Sequence, residues 1–177
     1  MSGQDWVSSS TLYVGPGGGD VWAAEAGSRG GRGTQHIVRA GEVTAPDAVA
    51  SMLAVEPGAS VVVRRRLMYL DEVPCELTDS HYPLAIAAGT PLSEPAKIRG
   101  GANALLAKLG HVGARVREDV CASAADAAER EALALPGDAV VLRLARTTYD
   151  GDGRAVQADL ITMPAEGRRL RHELETR

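Results

Sequence analysis

Residues 61–83, VVVRRRLMYLDEVPCELTDSHYP, carry the clearest structural pattern in the chain. Val, Tyr and Leu on both sides of Asp71-Glu72 read as two strands, 60–70 and 73–82, joined by a tight turn into a hairpin. A strand sends successive side chains to opposite faces, so Arg64, Arg66 and Met68 share one face and Val63, Arg65, Leu67 and Tyr69 the other. Three adjacent arginines can all be surface charge only if neither face is covered. A covered face requires a polar partner for the arginine that points into it. The alternative is that Arg64 and Arg66 lie on an exposed sheet edge or pair with Glu76 across the hairpin.

Punctuation outward from this hairpin is regular. Upstream, HIVRAGEVTA (36–45) reads as a strand, and Pro46 opens a short helix, PDAVASMLAV, that stops at Pro57-Gly58. Downstream, 83–101 reads as loop with one helical turn, and 103–109 as helix ended by Gly110. GARVREDVCA (113–122) is a further strand, and Ser123 is placed to cap a helix over 124–133. Strands 138–149 and 154–163 around DGDG make a second hairpin. LAVEPGASVVVRRRLMYLD and LALPGDAVVLRLARTTYD align with one deletion before the Pro-Gly, which points to a duplicated helix–strand–strand unit. Tight turns force antiparallel pairing, so the expected class is α+β, an antiparallel sheet flanked by helices, with one face free to form a pocket.

Residues 1–34, rich in glycine and serine, read as a flexible arm or linker with a short helical patch at 21–26, and 166–177 as a charged, helix-prone tail; the domain proper is 35–165. GPGGGD is not a phosphate loop, because no Gly-Lys-Ser/Thr follows it. The chain has 177 residues, 45% hydrophobic and 24% charged, with a formal net charge of −4. That mild acidity argues against a surface that grips nucleic acid as a whole. Aromatic content of 3%, with no Phe, leaves few platforms for stacking bases. No apolar run approaches the roughly 20 residues of a membrane span, so no membrane association is expected. Cys75 and Cys121 form no CxxC pair and follow no secretory leader, which fits inert thiols in a cytoplasmic protein.

RRRLMYLDEVPCELTDSHYP, then NALLAKLG, then RTTYDGDGRAVQ, in this order and spacing, resembles the UTRA domain, the effector-binding half of HutC-type GntR transcription regulators. The resemblance runs from about Gln35 to Met163, and DVWAAEAGSRGGRGT is similar to the linker that precedes that domain. It implies a chorismate lyase-like fold, a homodimer, and a small-molecule effector in a cleft. The family's winged helix-turn-helix has no counterpart upstream of Trp22, so direct DNA binding by this chain alone is not expected. The chain is then either a fragment of a regulator or a free-standing UTRA-like protein, which the Met1 start permits. Sugar-phosphate sensors of the family use an Arg-x-Arg pair, a Glu on the next strand and a Ser-x-Tyr at the following helix. By position these fall on Arg66 and Met68, on Thr78, and on Gly101 and Asn103; an acidic sugar contact falls on Gln157 and a ring contact on Met163. Only the first arginine is retained. The resemblance with these departures implies a larger, partly apolar ligand with one anionic or carbonyl group at Arg66, and Arg64, Glu76, Ser80 and Asp159 join the candidate site. Thr78 and Ser80 are otherwise strand residues on a polar face, and Asn103 a helix cap.

Catalytic signatures are sparse. Ser80 and His81 are adjacent on a strand and point apart, so DSH is not a nucleophile triad. The four histidines, His36, His81, His111 and His172, show no metal-ligand spacing, and neither a metal nor a cofactor is expected. The chorismate lyase-like resemblance leaves open an enzyme in which Arg66 orients an anionic substrate and Asp159 or Glu76 acts as acid or base. It also leaves open a partner module that heterodimerises with intact regulators.

Overall fold

The computed structural model describes residues 6–8 and 20–172. GPGGGD, apart from Asp20, and residues 173–177 of the tail lie outside the described residues. In chain order the elements are β1 (Trp6–Ser8), α1 (Val21–Ser28), β2 (Gly33–Thr44), α2 (Asp47–Leu53), β3 (Ser60–Leu70), β4 (Val73–Pro83) and α3 (Leu84–Ala87). A 3-10 turn (Pro91–Ser93) follows, then α4 (Ala102–Lys108), β5 (Gly113–Ala124), α5 (Ala127–Leu133), β6 (Val140–Asp150), β7 (Ala155–Pro164) and β8 (Arg168–Leu170).

Turn chemistry sets the strand order. Asp71 and Glu72 take positive φ, 48° and 70°, the mirror-image geometry whose twist matches that of a hairpin. Left-handed non-glycine residues are strained, and Arg32 offsets this: its N–H donates to the Asp71 carboxylate at 2.8 Å and its carbonyl accepts from Asp71 N at 3.0 Å. The hairpins β3–β4 and β6–β7 meet through β4 and β7, with β2 and β5 outside them, in a six-stranded antiparallel sheet ordered β2-β3-β4-β7-β6-β5. The sheet is therefore α+β as expected, and β3 lies inside it, so Arg64 and Arg66 do not occupy an edge. Of the two edges, β2 is broken in mid-strand by a bulge at Val38, whereas β5 pairs with β6 without interruption from Arg115 to Ala124.

The duplication is visible in three dimensions. β2, α2 and β3 recur as β5, α5 and β6 with identical lengths and a constant spacing, so the deletion expected from the sequence does not exist. Ala54 and Ala134 end the paired helices in the same left-handed conformation, φ 53° and 52°, and the two Pro-Gly dipeptides are offset by one position within equivalent turns. The cap of α5 also differs from expectation. Asp126, not Ser123, accepts from Glu129 N at 2.8 Å while Glu129 returns the bond to Asp126 N at 2.9 Å, a reciprocal capping box. Ser123 is still in β5, opposite Val141.

Helices α2 and α5 cover one face of the sheet, where Val49, Ala50 and Leu53 pack on Val61 and Ala158. The other face is covered only in part. Val62 and Tyr82 project from it into a cluster with Ala87, Leu92 and Leu106 from the 84–110 segment, each large side chain contributing about 1.5–3 kcal/mol on burial. Two segments read as solvated pieces are packed in the structure. In α1, capped by Asp20, Trp22 is 3% exposed and its indole N–H donates to Tyr69 O at 3.0 Å. At the other terminus β8 forms a parallel two-stranded ribbon with β1, not a helix, and Arg168 donates to Cys75 O at 3.0 Å.

Gly33 is where α1 meets the sheet: a Cβ there would fall 2.8 Å from Trp22 O and 2.9 Å from Ala26 Cβ. Gly33→Ala is expected to lift α1, costing about 1–3 kcal/mol and shifting tryptophan emission to the red while the strand signal in circular dichroism persists.

Candidate ligand-binding site

A cavity of about 820 Å³ lies on the half-covered face, over β3, β4 and β7, walled by α1 on one side and by residues 97–103 on the other. This is within the range of pockets that enclose a metabolite, roughly 300–1,000 Å³. Its floor follows from strand alternation. Arg66 stands opposite Thr78, Met68 opposite Glu76, and Ser80 opposite both Arg64 and Asp159, so these side chains rise from one face.

Arg64 is 4% exposed, and it answers the question raised by three adjacent arginines. Its Nη1 donates to the carbonyls of Pro91, Leu92 and Glu94 at 3.0, 3.1 and 2.5 Å, and Nη2 to Ala96 O at 2.8 Å. Four loop carbonyls, of which only Pro91 O has another backbone donor, Glu94 N–H, converge on one guanidinium, and this fixes the segment leading into the cavity wall. Arg65 points to the opposite face and holds Asp79 through Nε at 2.7 Å. Arg66 differs from both. Its Nη2 donates to Ser80 Oγ at 3.0 Å, its Nε is buried without a hydrogen-bond partner, and among the described residues no carboxylate lies within salt-bridge distance of it.

Acidic groups share the floor. Glu76 accepts from Thr78 Oγ1 at 2.7 Å. Asp159, 3% exposed, accepts from Gln157 Nε2 on both oxygens, at 2.8 and 2.9 Å. At the rim, burial alone would raise the Asp20 carboxyl, but bonds from Lys97 (3.0 Å), Ala23 N and Gln35 outweigh it and hold the group below the ordinary aspartate value. That clasp ties α1 to the loop on the far side of the opening.

Of the residues singled out in the sequence, Arg64, Arg66, Met68, Glu76, Thr78, Gly101, Asn103, Gln157 and Asp159 line the cavity. Ser80 is fully buried beneath Arg66 and is not among the lining residues. Met163 is not either: it packs with Leu144 and Ile161. Asn103 is inside α4, whose cap is Gly101 with φ 86°, so it is not the helix cap. Sequence reasoning missed Trp22, Lys97, Ile161 and Arg146, which also line the cavity. Arg146 was findable, because the duplication places it where Arg66 stands in the first half. The two environments differ. Opposite Arg146 is Glu118, which accepts from its Nε at 2.6 Å; opposite Arg66 is Ile37.

Ser80 and His81 point to opposite faces, as the strand requires. His81 is 3% exposed, and its burial lowers its proton affinity below the ordinary histidine value, against the pull of Asp79 and Asp159.

The UTRA domain family model matches residues 28–167. A protein assigned to the GntR transcriptional-regulator family superposes with a TM-score of 0.84 at 24% identity, over 98% of this chain and 71% of that one. The effector domain of PhnF from Mycobacterium smegmatis gives a TM-score of 0.74 at 20% identity, over 92% of this chain and 97% of that one. The PhnF structure from the same organism gives 0.77 at 19% identity, over 90% and 70%. At these identities the superpositions establish the fold. A comparison with curated proteins returns no match.

Two expectations follow from the site's electrostatics. Arg64→Met takes the side-chain donor from four carbonyls, of which only Pro91 O keeps another, Glu94 N–H, and should cost about 3 kcal/mol or more in urea unfolding, whereas Arg65→Ala, at a pair whose arginine is 46% exposed, should cost about 1 kcal/mol or less. For His81 the unfolded chain takes up a proton near pH 6.5 and the folded chain only at lower pH, so this contribution to stability is complete well above pH 6.5 and declines as the pH falls through and below that value. His81→Gln should flatten that decline in unfolding measured across the same range.

Proposed function

Because the chain belongs to the UTRA domain family, we propose that it is an effector sensor whose cavity takes up a small, partly apolar molecule with an anionic group at Arg66. The single observation that carries this is the state of the Arg66 guanidinium: held by Ser80, aimed into the cavity, with a buried Nε that nothing satisfies. Arg66 is half-buried with its Nε shielded from solvent; a donor so placed is costly to leave unmet, and a carboxylate or phosphate accepting two parallel N–H bonds removes the cost. The internal repeat supports the reading, since the equivalent Arg146 has its carboxylate in place and Arg66 does not. Ile37, Met68 and Ile161 give the occupant apolar contact, and Thr78, Asn103 and Gln157 supply polar groups on the same lining.

We place the ligand-binding body at 35–165, with α1 added as a wall of its cavity. Further proposals accompany the main one: a homodimer, supported by the unbroken β5 edge with Val120 45% exposed; a cytoplasmic setting, supported by the free thiols Cys75 and Cys121; and no direct DNA contact, supported by the shortness of every described helix, of which α1, eight residues, is the longest. No described helix is long and apolar enough to cross a membrane.

Native mass spectrometry of the protein incubated with host metabolite extract tests the main reading. A bound species should be recovered chemically unaltered, and Arg66→Ala should weaken its binding by about 1–3 kcal/mol. Unchanged affinity in that variant rejects the assignment of Arg66, and a chemically converted ligand identifies an enzyme instead.

A further inference from the structure

Charge pairing within the cavity is incomplete in both signs. Arg64 is committed to loop carbonyls, Arg146 to Glu118, and Lys97 to Asp20. What remains, among the described residues, is the half-buried Arg66 cation on the floor, the exposed Arg99 on the 97–103 wall, and two carboxylates with no cation within salt-bridge distance, Glu76 and Asp159. Asp159 is the more demanding, because it is almost completely buried and receives only the two bonds from the neutral Gln157 amide. Each of its oxygens keeps a lone pair for another donor.

These opposite charges adjoin. The Arg66 guanidinium rests on Ser80 Oγ, and Ser80 is the cross-strand partner of Asp159, with Cβ atoms of such a pair about 5 Å apart on the same face. One serine therefore separates an anion-binding group from an ammonium-binding group. Resting on the reading of Arg66 above, we infer that the occupant is a zwitterion of the α-amino acid class. Its carboxylate lies on Arg66, its ammonium on Asp159, and its side chain runs toward Ile37, Met68 and Ile161. An amine and an acid on one carbon match two sites one residue apart, whereas a simple acid leaves Asp159, whose cross-strand neighbour Arg146 is taken by Glu118, with only the Gln157 amide bonded to it among the described residues. Gln157, by donating to both oxygens, holds the Asp159 carboxylate in place. A site built this way rejects an analogue lacking either charge, because the protein group facing the missing charge is left without a partner.

The test is isothermal titration of the unmodified protein with the standard L-amino acids, their N-acetyl derivatives and their methyl esters. At least one free amino acid is expected to bind at least about tenfold more tightly than both its N-acetyl and its ester form. Asp159→Asn, nearly isosteric and checked for folding by its melting curve, should erase the advantage over the N-acetyl form while leaving that form's own affinity in place. Arg66→Ala should erase the advantage over the ester. If N-acetyl derivatives bind as well as free amino acids and still require Arg66, the zwitterion inference falls and the anion site stands. If no free amino acid binds, the inference is overturned, and the metabolite-extract experiment alone then decides the reading of Arg66.

Discussion

One guanidinium holds the ligand-binding face together. Arg64 rises from the middle of an inner strand and gathers four backbone carbonyls from a loop that has no ladder of its own. Backbone oxygens that leave water must find donors, and between α3 and α4 one short 3-10 turn, Pro91–Ser93, is too small to provide them. Once that loop is tethered, Leu92 seals against Val62 and Tyr82, and residues 97–103 come to rest as one wall of the cavity. The opposite wall, α1, is held by Trp22 at Tyr69 and by the Asp20–Lys97 clasp across the mouth. The enclosed space above Arg66 is thus a product of two tethers on a sheet that is otherwise open on this side.

The same triplet of arginines shows how one residue type does three jobs. Position 64 is buried and satisfied by peptide oxygens, position 65 is exposed and paired with Asp79, and position 66 is partly buried with a donor left over. Nothing intrinsic to arginine separates them. Strand alternation sends 65 to the far face, and the register against β4 decides that 64 lies under the loop while 66 lies under the cavity.

Much of this was legible because it is local. The Asp71-Glu72 turn, the Pro-Gly breaks and strand alternation gave the hairpins, the antiparallel sheet and the shared face of Arg64, Arg66 and Met68, while Thr78, Gln157 and Asp159 entered through the family resemblance. The role of Arg64 was not legible, because its partners are main-chain atoms of a segment without periodicity. Trp22 stood in a recognised helical patch, but no local pattern tells a docked helix from a solvated one. Asp126-x-x-Glu129 carried a readable capping signature that a serine at a strand end obscured. Ser80 was read as a strand residue on a polar face and Met163 as a ring contact implied by the resemblance, but how deep each lies depends on packing from β8 and on the reach of Arg66.

The two outer strands bear differently on assembly. A bulge at Val38 interrupts β2, whereas β5 offers an unbroken row of peptide groups from Arg115 to Ala124. Strand addition needs a continuous template, so a sheet with one such border and one bent border has a single growth point. Two copies joined border to border would use up both templates and leave only the bent ones outward. Propagation would then end at a symmetric pair, and the molecule would carry in its own repeat a built-in terminator against fibre growth.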